Sequence, residues 1–154
     1  MEMNASMAHF GKLGFADIDN ILTIEERVYA YPWSRGNFTD SFLSGYEAFG
    51  FRDSGHEIVA YFVVMQVLDE LHLLNFAVDL PYQGRGNGKL LMDRLFAYAN
   101  EHAYASILLE VRRSNARAIA VYENAGFSSI GVRKGYYPAH ENQREDAIVM
   151  RRMC

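Results

Sequence analysis

The chain has 154 residues, a length that suits one folded domain, so we expect residues 1–154 to form a single domain. Half of the residues are hydrophobic and 22% are charged, a balance that excludes a disordered chain. The formal net charge of -4 argues against a nucleic-acid-binding protein, whose surface would be basic.

Metal and disulfide chemistry are not expected. The single cysteine, Cys154, rules out an intramolecular disulfide and a paired-cysteine metal site. The five histidines show no spacing typical of zinc ligands. The stretch "MEMNASMAHFGKL" has neither a long apolar run nor a basic lead, so it predicts no signal peptide and no membrane anchor. We therefore expect a cytoplasmic protein without a metal.

Two helices come first in chain order. The segment "ADIDNILTIEERVYA" has apolar residues at near-helical spacing, which are Ile18, Ile21, Leu22 and Val28. Pro32 interrupts this pattern, and Ser34 can cap a second short helix. The second helix carries Phe38, Phe42 and Leu43.

Strands and helices then alternate. Residues 46–78 are rich in aromatic and β-branched residues, and turns at 53–55 and 68–70 divide them into three strands. After a glycine-rich loop we predict a helix over about 88–102, a strand at 105–111 and a helix from Ser114 to a left-handed cap at Gly126. Two strands, 128–137 and 144–153, close the chain. This order predicts a three-layer α/β domain with a mixed sheet.

The loop in "VDLPYQGRGNGKLL", residues 78–91, has the chemistry of an anion site. Glycines let the backbone turn its N–H groups toward a ligand, and the following helix adds unpaired N–H groups and a positive dipole end. The spacing fits neither a Walker A loop nor G-x-G-x-x-G, but it matches Q-x-x-G-x-G at Gln83, Gly86 and Gly88. A plain glycine-rich turn with solvated basic residues is the structural alternative.

With this loop the sequence resembles the GNAT superfamily of acyl-CoA-dependent N-acetyltransferases. Within it, the chain is similar to the RimI-type ribosomal-protein alanine N-acetyltransferases. The motifs that carry the resemblance are "YPWS", "NFAVDLPYQGRGNGKLLM", "LLEVRRSNARAIAVYENAGF" and "YYPAHENQREDAIVM". The resemblance implies the GNAT fold, α/β/α with a mostly antiparallel sheet of about seven strands and about four helices.

The resemblance also implies where acetyl-CoA, the co-substrate, is bound. Phe76, Ala77 and Val78 would line the pantetheine arm and the thioester with their backbone. Asn115 would contact the CoA arm. The loop implied for the pyrophosphate comprises Gln83, Gly84, Arg85, Gly86, Asn87, Gly88 and Lys89.

The implied catalytic residues are Glu110 as general base and Tyr122 as general acid, with Tyr122 also close to CoA. Two segments would wall the substrate groove, one with Tyr31 and Trp33 and the other with Tyr136 and Tyr137. The implied reaction acetylates the N-terminal alanine of a protein, a basic small-subunit ribosomal protein, by direct transfer in a ternary complex. The implied partners are that protein N-terminus and acetyl-CoA, with no nucleic acid and no membrane.

The residues themselves support a special role for Glu110. Strand alternation in "SILLEVR" puts Ile107, Leu109 and Val111 on one face and Glu110 on the other, beside Leu108. A carboxylate in a largely apolar strand needs a hydrogen-bonding or charged partner, or else has a functional role. Each candidate also has an ordinary structural explanation. Glu110 could be a buried carboxylate paired with Arg112, while the aromatic candidates could be packing residues.

Two other functions stay open at this point. One is a GNAT enzyme that acts on a lysine side chain, a polyamine or an antibiotic amine. Clustered carboxylates in the groove would favour that enzyme, whereas tyrosine-rich walls favour an extended peptide end. The other is a non-catalytic acetyl-CoA-binding module. This function would be favoured if Glu110 and Tyr122 faced away from the thioester.

Overall fold

The structure is a computed structural model that describes residues 7–154; residues 1–6, part of the N-terminal stretch considered above, lie outside the described residues. Its helices are α1 (Ile18–Val28), α2 (Arg35–Leu43), α3 (Asn87–Glu101) and α4 (Ala116–Asn124). Its strands are β1 (His9–Leu13), β2 (Glu47–Arg52), β3 (Ile58–Val67), β4 (Glu70–Val78), β5 (Ser106–Arg112), β6 (Ser128–Pro138) and β7 (Arg144–Met153). The predicted α/β class, with seven strands and four helices, is confirmed.

The seven strands form one mixed sheet in the order β1-β2-β3-β4-β5-β7-β6. Strands β4 and β5 are parallel, from Glu70 opposite Ser106 to Leu73 opposite Leu109. The pairs β1–β2, β2–β3, β5–β7 and β6–β7 are antiparallel, so the sheet is mostly antiparallel as predicted. Strand β1 was not assigned from the sequence, and its pairing with β2 supplies the seventh strand.

The described chain forms two compact units, and the first comprises residues 7–65 and Leu74–Ala97. Ile21 and Phe38 pack against the face of β3 that carries Tyr61. The opposite face of this part of the sheet carries Phe51, and the guanidinium of Arg94, from α3, lies 5.6 Å from its ring centroid. Helices therefore cover both faces of the strands in this unit, which gives the predicted three layers.

The second unit comprises Gln66–Leu73 and Tyr98–Cys154. Glu70 ties three of its strands together, because its Oε2 accepts hydrogen bonds from Ser106 Oγ and Arg151 Nε, both at 2.8 Å. The assignment of residues 1–154 to a single domain stays a prediction. None of the helices described between residues 7 and 154 is long and apolar enough to cross a membrane.

Two helix boundaries follow the expected capping chemistry, and one lies two residues later than predicted. The hydroxyl of Ser34 accepts a hydrogen bond from the backbone N–H of Asn37 at 3.1 Å, which caps α2 as predicted. Gly126 follows α4 with φ of +99°, the predicted left-handed cap. Helix α4 begins at Ala116 rather than Ser114, because Asn115 is its N-cap.

Candidate active site

The predicted site residues fall in both compact units. The glycine-rich loop, the end of β4 and the "YPWS" segment belong to the first unit. Glu110, Asn115, Tyr122, Tyr136 and Tyr137 belong to the second.

The glycine-rich loop presents a set of unpaired backbone donors. Within the described chain, none of the N–H groups of residues 84–89 donates a hydrogen bond. Gly84 and Gly86 have φ of +74° and +79°, in the left-handed region that favours glycine. Asn87 begins α3, so the first-turn N–H groups of this helix join the same set. This arrangement suits an anion such as a pyrophosphate.

Side chains fix the loop from its base. Arg27 holds Asp79 through two hydrogen bonds of 3.0 and 2.7 Å, and Asp79 in turn accepts one from the N–H of Leu80 at 2.8 Å. Gln83 Nε2 donates to the carbonyl of Val78 at 2.8 Å. These contacts anchor the start of the loop to the end of β4.

Two further loop side chains also bond within the protein. Asn87 is fully buried, and its Nδ2 donates to the carbonyl of Tyr82 at 2.9 Å. Its Oδ1 has no hydrogen-bond partner in the part of the chain that the structure describes. Lys89 Nζ lies 3.1 Å from Asp93, an exposed pair within α3. Arg85 is exposed. The backbone, more than these side chains, is therefore available to a ligand.

The last residues of β4 extend beyond the part of this strand that pairs with β5. Phe76, Ala77 and Val78 follow Leu73, where that ladder ends. The carbonyl of Phe76 accepts a hydrogen bond from the hydroxyl of Tyr29, and the carbonyl of Val78 accepts the bond from Gln83. The predicted contact of these three residues with a pantetheine arm stays a prediction.

A buried carboxylate that sequence reasoning missed holds the "YPWS" segment in place. Glu25 Oε1 accepts hydrogen bonds from Tyr61 Oη at 2.6 Å and Asn75 Nδ2 at 3.0 Å, while Oε2 accepts one from the backbone N–H of Trp33 at 2.9 Å. Burial, and then the charge of Glu25, raise the pKa of Tyr61 well above its usual value. Glu25 lies four residues after Ile21 on the apolar face of α1, a signal that could have identified it.

The two aromatic residues of this segment differ in their surroundings. Trp33 is half-buried, and its ring centroid lies 5.0 Å from that of Phe38. Tyr31 is exposed. Their predicted roles in substrate binding stay predictions.

In the second unit, Glu110 occupies the position that alternation predicts. Ile107, Leu109 and Val111 are buried, and Glu110 on the other face of β5 is half-buried. Arg133 Nε lies 2.5 Å from Glu110 Oε2, an ion pair that lacks hydrogen-bond geometry. This buried oxygen has no hydrogen-bond partner among residues 7–154. Arg133, rather than the expected Arg112, is thus the cation paired with Glu110.

Tyr136 and Tyr137 both approach Glu110. The pKa of Tyr136 is raised by burial and then by the charge of Glu110. The pKa of Tyr137 is raised by burial first and then by Glu110, with Tyr122 adding to the effect. The Arg112 guanidinium lies 4.5 Å from the ring centroid of Tyr137. The second unit therefore brings together Glu110, Tyr122, Tyr136 and Tyr137.

Tyr122 has the protonation state that a general acid needs. Burial raises its pKa to about 12, so its hydroxyl stays protonated at neutral pH. Its ring packs edge-on against Phe127, with 5.7 Å between centroids. This contact is also the one expected of a packing aromatic, so geometry alone leaves both roles open.

Asn115 and Cys154, also in the second unit, have other surroundings. Asn115 Oδ1 accepts a hydrogen bond from the N–H of Ala118 at 3.1 Å, so its oxygen serves as the helix cap. Its predicted contact with CoA stays a prediction. Met153 pairs with Ser106, four residues before Glu110 on β5, which puts Cys154 at the other end of this strand. No group of three or more His, Cys, Asp or Glu side chains in the described chain is arranged to hold a metal ion.

Comparison with known proteins gives consistent relatives. Residues 18–127 match the family described as "Acetyltransferase (GNAT) family". The [Ribosomal protein bS18]-alanine N-acetyltransferase of Escherichia coli K12 is 38% identical over 94% of this chain and 96% of its own. The protein of the same name from Haemophilus influenzae is 33% identical over 94% and 97%. The crystal structure of the E. coli ribosomal-protein-S18-alanine N-acetyltransferase superposes with a TM-score of 0.85, at 37% identity, over 94% of this chain and 92% of that one.

Proposed function

Because the chain belongs to the GNAT acetyltransferase family, we propose that it transfers the acetyl group of acetyl-CoA to an N-terminal alanine. The protein that carries this alanine is a small-subunit ribosomal protein. The observation that carries the proposal is the similarity, over 94% of the chain, to proteins named for this reaction. We place the reaction in the cytoplasm, where such a substrate is made.

The glycine-rich loop fits the diphosphate of acetyl-CoA. Six consecutive unpaired N–H groups, at residues 84–89, suit the oxygens of a pyrophosphate. The two left-handed glycines leave room for close approach, because each lacks a Cβ. These backbone groups would bind the diphosphate, and bound acetyl-CoA supplies the thioester as the acetyl donor.

Glu110 would act as the general base. An α-amine has a reference pKa near 8, so it is mostly protonated and not nucleophilic at neutral pH. A carboxylate can accept this proton directly or through one water. The carboxylate of Glu110 would receive it, and the Arg133 ion pair would hold the carboxylate in place.

Tyr122 would act as the general acid. The new bond joins the amine nitrogen to the acetyl carbon, and the bond from that carbon to sulfur breaks. Tyr122, whose hydroxyl is protonated at neutral pH, would donate its proton to the departing sulfur. The nitrogen would lose its second proton as the amide forms, and this proton would restore the Tyr122 hydroxyl. The carbonyl oxygen that gains charge would be bound by backbone N–H groups at the end of β4.

A peptide panel tests this proposal. Peptides that differ only in the first residue are incubated with the enzyme and acetyl-CoA, and the acetylated position is located by mass spectrometry. We expect one acetyl group on the α-amine, with alanine the preferred first residue. Modification confined to lysine side chains of peptides with blocked N-termini would overturn the proposal in favour of a lysine acetyltransferase.

A further inference from the structure

Arg133 lies on the carboxylate that we propose as the general base. Its Nε is 2.5 Å from Glu110 Oε2, and the side chain reaches this oxygen from β6, across the intervening strand β7. Of the whole Glu110 side chain 22% is exposed, but Oε2 itself is buried. The oxygen that pairs with Arg133 is therefore closed to water and to an incoming amine.

The sheet leaves room for this side chain. Glu110 pairs with Val149 of β7, and Val149 pairs with Gly131 of β6, so two strand spacings, roughly 10 Å, separate Glu110 from Gly131. Gly131 has no side chain, and a Cβ there would meet no atom within 4 Å. Arg133 lies two residues further along β6, so its side chain is on the same face. The side chain of Arg133 thus takes the place opposite Glu110 that Gly131 leaves open.

The other arginine on this face, Arg112, is engaged elsewhere. Its Nη1 lies 3.1 Å from Glu145 Oε1 and donates a hydrogen bond to the carbonyl of Pro138 at 2.8 Å. Among the cations that the structure describes, Arg133 alone forms an ion pair with Glu110. The charge of Glu110 is therefore compensated by a single side chain.

Arg133 has a second partner that would keep it nearby if this ion pair opened. Its Cζ lies 5.3 Å from the ring centroid of Tyr136, within the range of about 6 Å for cation–π attraction. The side chain of Arg133 is 58% exposed, so water can also solvate its guanidinium. Exposed ion pairs are weak, and an arginine with these alternatives can leave Glu110 at a small cost in free energy.

The substrate of the proposed reaction arrives as a cation too. An α-amine has a reference pKa near 8, so it is mostly an ammonium at neutral pH and must give a proton to the base. The guanidinium of Arg133 stays charged under the same conditions. Two cations therefore compete for one carboxylate. A carboxylate oxygen that stays paired with a guanidinium is poorly placed to accept a proton, because the cation stabilises the ionised form.

We propose that Arg133 is a displaceable counterion of Glu110. In the free enzyme it covers Oε2 and positions the carboxylate, and the α-ammonium of the substrate then takes its place while Arg133 stays on the ring of Tyr136. The proton passes from the nitrogen to Glu110 after this exchange, and none moves to or from Arg133. The inference rests on the proposed function. Arg133 acts through Glu110 as a positioning residue, and it sets how strongly the site binds an ammonium.

Arg133→Gln tests the proposal, because it removes the charge and keeps a polar side chain. Peptide binding is measured by calorimetry with saturating CoA, which has no acetyl group to transfer. Two peptides differ only in the first residue, which is alanine in one and lactate, whose hydroxyl replaces the ammonium, in the other. We expect the preference for the alanine peptide to rise about 2- to 5-fold over the wild type, the effect of a partly exposed charge pair. The KM of the alanine peptide should fall by the same factor, whereas loss of a merely structural residue would lower kcat.

Three further variants control for other effects. Arg133→Lys keeps the charge and should keep the wild-type preference. Lys134→Gln is the matched control, because Lys134 is the adjacent exposed cation of β6 and its loss changes the net charge equally. Glu110→Gln removes the group for which the two cations compete, so adding Arg133→Gln to it should not change the preference further. Melting temperatures verify that each variant folds, and Arg133→Met replaces Arg133→Gln if the latter does not.

Three outcomes would overturn the inference. One is an unchanged or smaller preference for the alanine peptide in Arg133→Gln. Another is an equal rise in Lys134→Gln, since this would indicate an effect of net charge. A third is an equal rise when Arg133→Gln is added to Glu110→Gln. Each of these leaves the proposed function intact if the wild type acetylates alanine peptides. A wild type that acetylates no peptide α-amine would overturn both proposals.

Discussion

The proposed chemistry depends most on Glu110 and Tyr122. Glu110 Oε2 forms an ion pair with Arg133. Tyr122 is protonated at neutral pH, as an ordinary tyrosine is, and burial raises its pKa further, to about 12. Tyr137 is electrostatically coupled to both of them. The reaction removes a proton from the amine and delivers one to the sulfur. It therefore needs an ionised base and a protonated acid.

Tyr122→Phe removes the hydroxyl and keeps the ring against Phe127. We expect turnover to fall by about 10²–10⁴-fold, the usual effect of a positioned proton donor, with an unchanged melting temperature. Tyr104→Phe, a tyrosine near the opposite end of β5, is the control and should retain wild-type turnover. A Tyr122→Phe enzyme with normal turnover would make Tyr122 a packing residue.

Glu110→Gln should reduce the rate by about 10²–10⁴-fold at neutral pH. The loss should shrink as the pH rises past the reference pKa of the amine, about 8, since the amine is then largely deprotonated without help. The pH profile of kcat/KM, measured for variant and wild type, checks this prediction. An equal loss at every pH would argue that Glu110 has a structural role only.

At the scale of elements, loops between strands and helices make the site. The glycine-rich loop is fixed by Asp79 and Gln83 at its base and opens its N–H groups at the start of α3. The segment after α1 is fixed by Glu25, whose partners come from β3, β4 and Trp33. The strands and helices thus fix the positions of two segments, the glycine-rich loop and the segment after α1, that have no regular secondary structure.

Gly86→Val should weaken acetyl-CoA binding by about tenfold or more. Gly86 has φ of +79°, where a β-branched residue costs roughly 1–2 kcal/mol. A Cβ there meets no protein atom within 4 Å, so the fold should tolerate it. Calorimetric titration checks the affinity, and Gly88→Ala is the control, because Gly88 has no positive φ and also has open space. Unchanged affinity in Gly86→Val would contradict the assignment of the loop.

Glu25→Ala should destabilise the protein by about 1–3 kcal/mol for each buried donor that it leaves unpaired. The donors are Tyr61, Asn75 and the backbone of Trp33. Urea unfolding measures the loss, and Tyr61→Phe, which removes one of these donors, should cost less than Glu25→Ala. Equal stability of Glu25→Ala and wild type would mean that water replaces the carboxylate.

At the scale of the whole molecule, one mixed sheet contains seven strands, and the site residues are divided between two compact units. The first unit carries the glycine-rich loop, which we propose binds the pyrophosphate. The second carries Glu110 and Tyr122, the proposed general base and general acid. The net charge of -4 suits a basic protein substrate, although it is too small to select one.

Low pH should lower the stability of the fold, because Glu70 becomes protonated. Burial acts to raise the pKa of Glu70, but hydrogen bonds from Arg151 and Ser106 outweigh it and lower the pKa below the usual value of 4.5. A carboxyl group with a lowered folded-state pKa stabilises the fold above its unfolded pKa, and this stabilisation is lost as the pH falls through the folded one. The melting temperature should therefore drop below about pH 4.5, and less steeply in Glu70→Gln. Parallel curves for the two proteins would contradict this.

Local sequence patterns determined the positions of most helices and strands in this protein. Apolar spacing placed the helices, turn residues divided the strands, and alternation in β5 put Glu110 on the face opposite Ile107, Leu109 and Val111. The spacing of Gln83, Gly86 and Gly88 predicted an anion site in the loop before α3, and this role stays a prediction. These features depend on neighbours within a few residues, so sequence spacing is sufficient to predict them.

Tertiary structure decided the features that join distant segments. Strand β1 exists because β2 pairs with it, and its own five residues carry no clear alternation. Glu25 finds its donors 8, 36 and 50 residues away. Between Arg133 and Tyr137, β6 shifts register against β7, so two consecutive tyrosines approach one carboxylate, which regular alternation would forbid. Such contacts arise from packing between elements, and no local pattern contains that information.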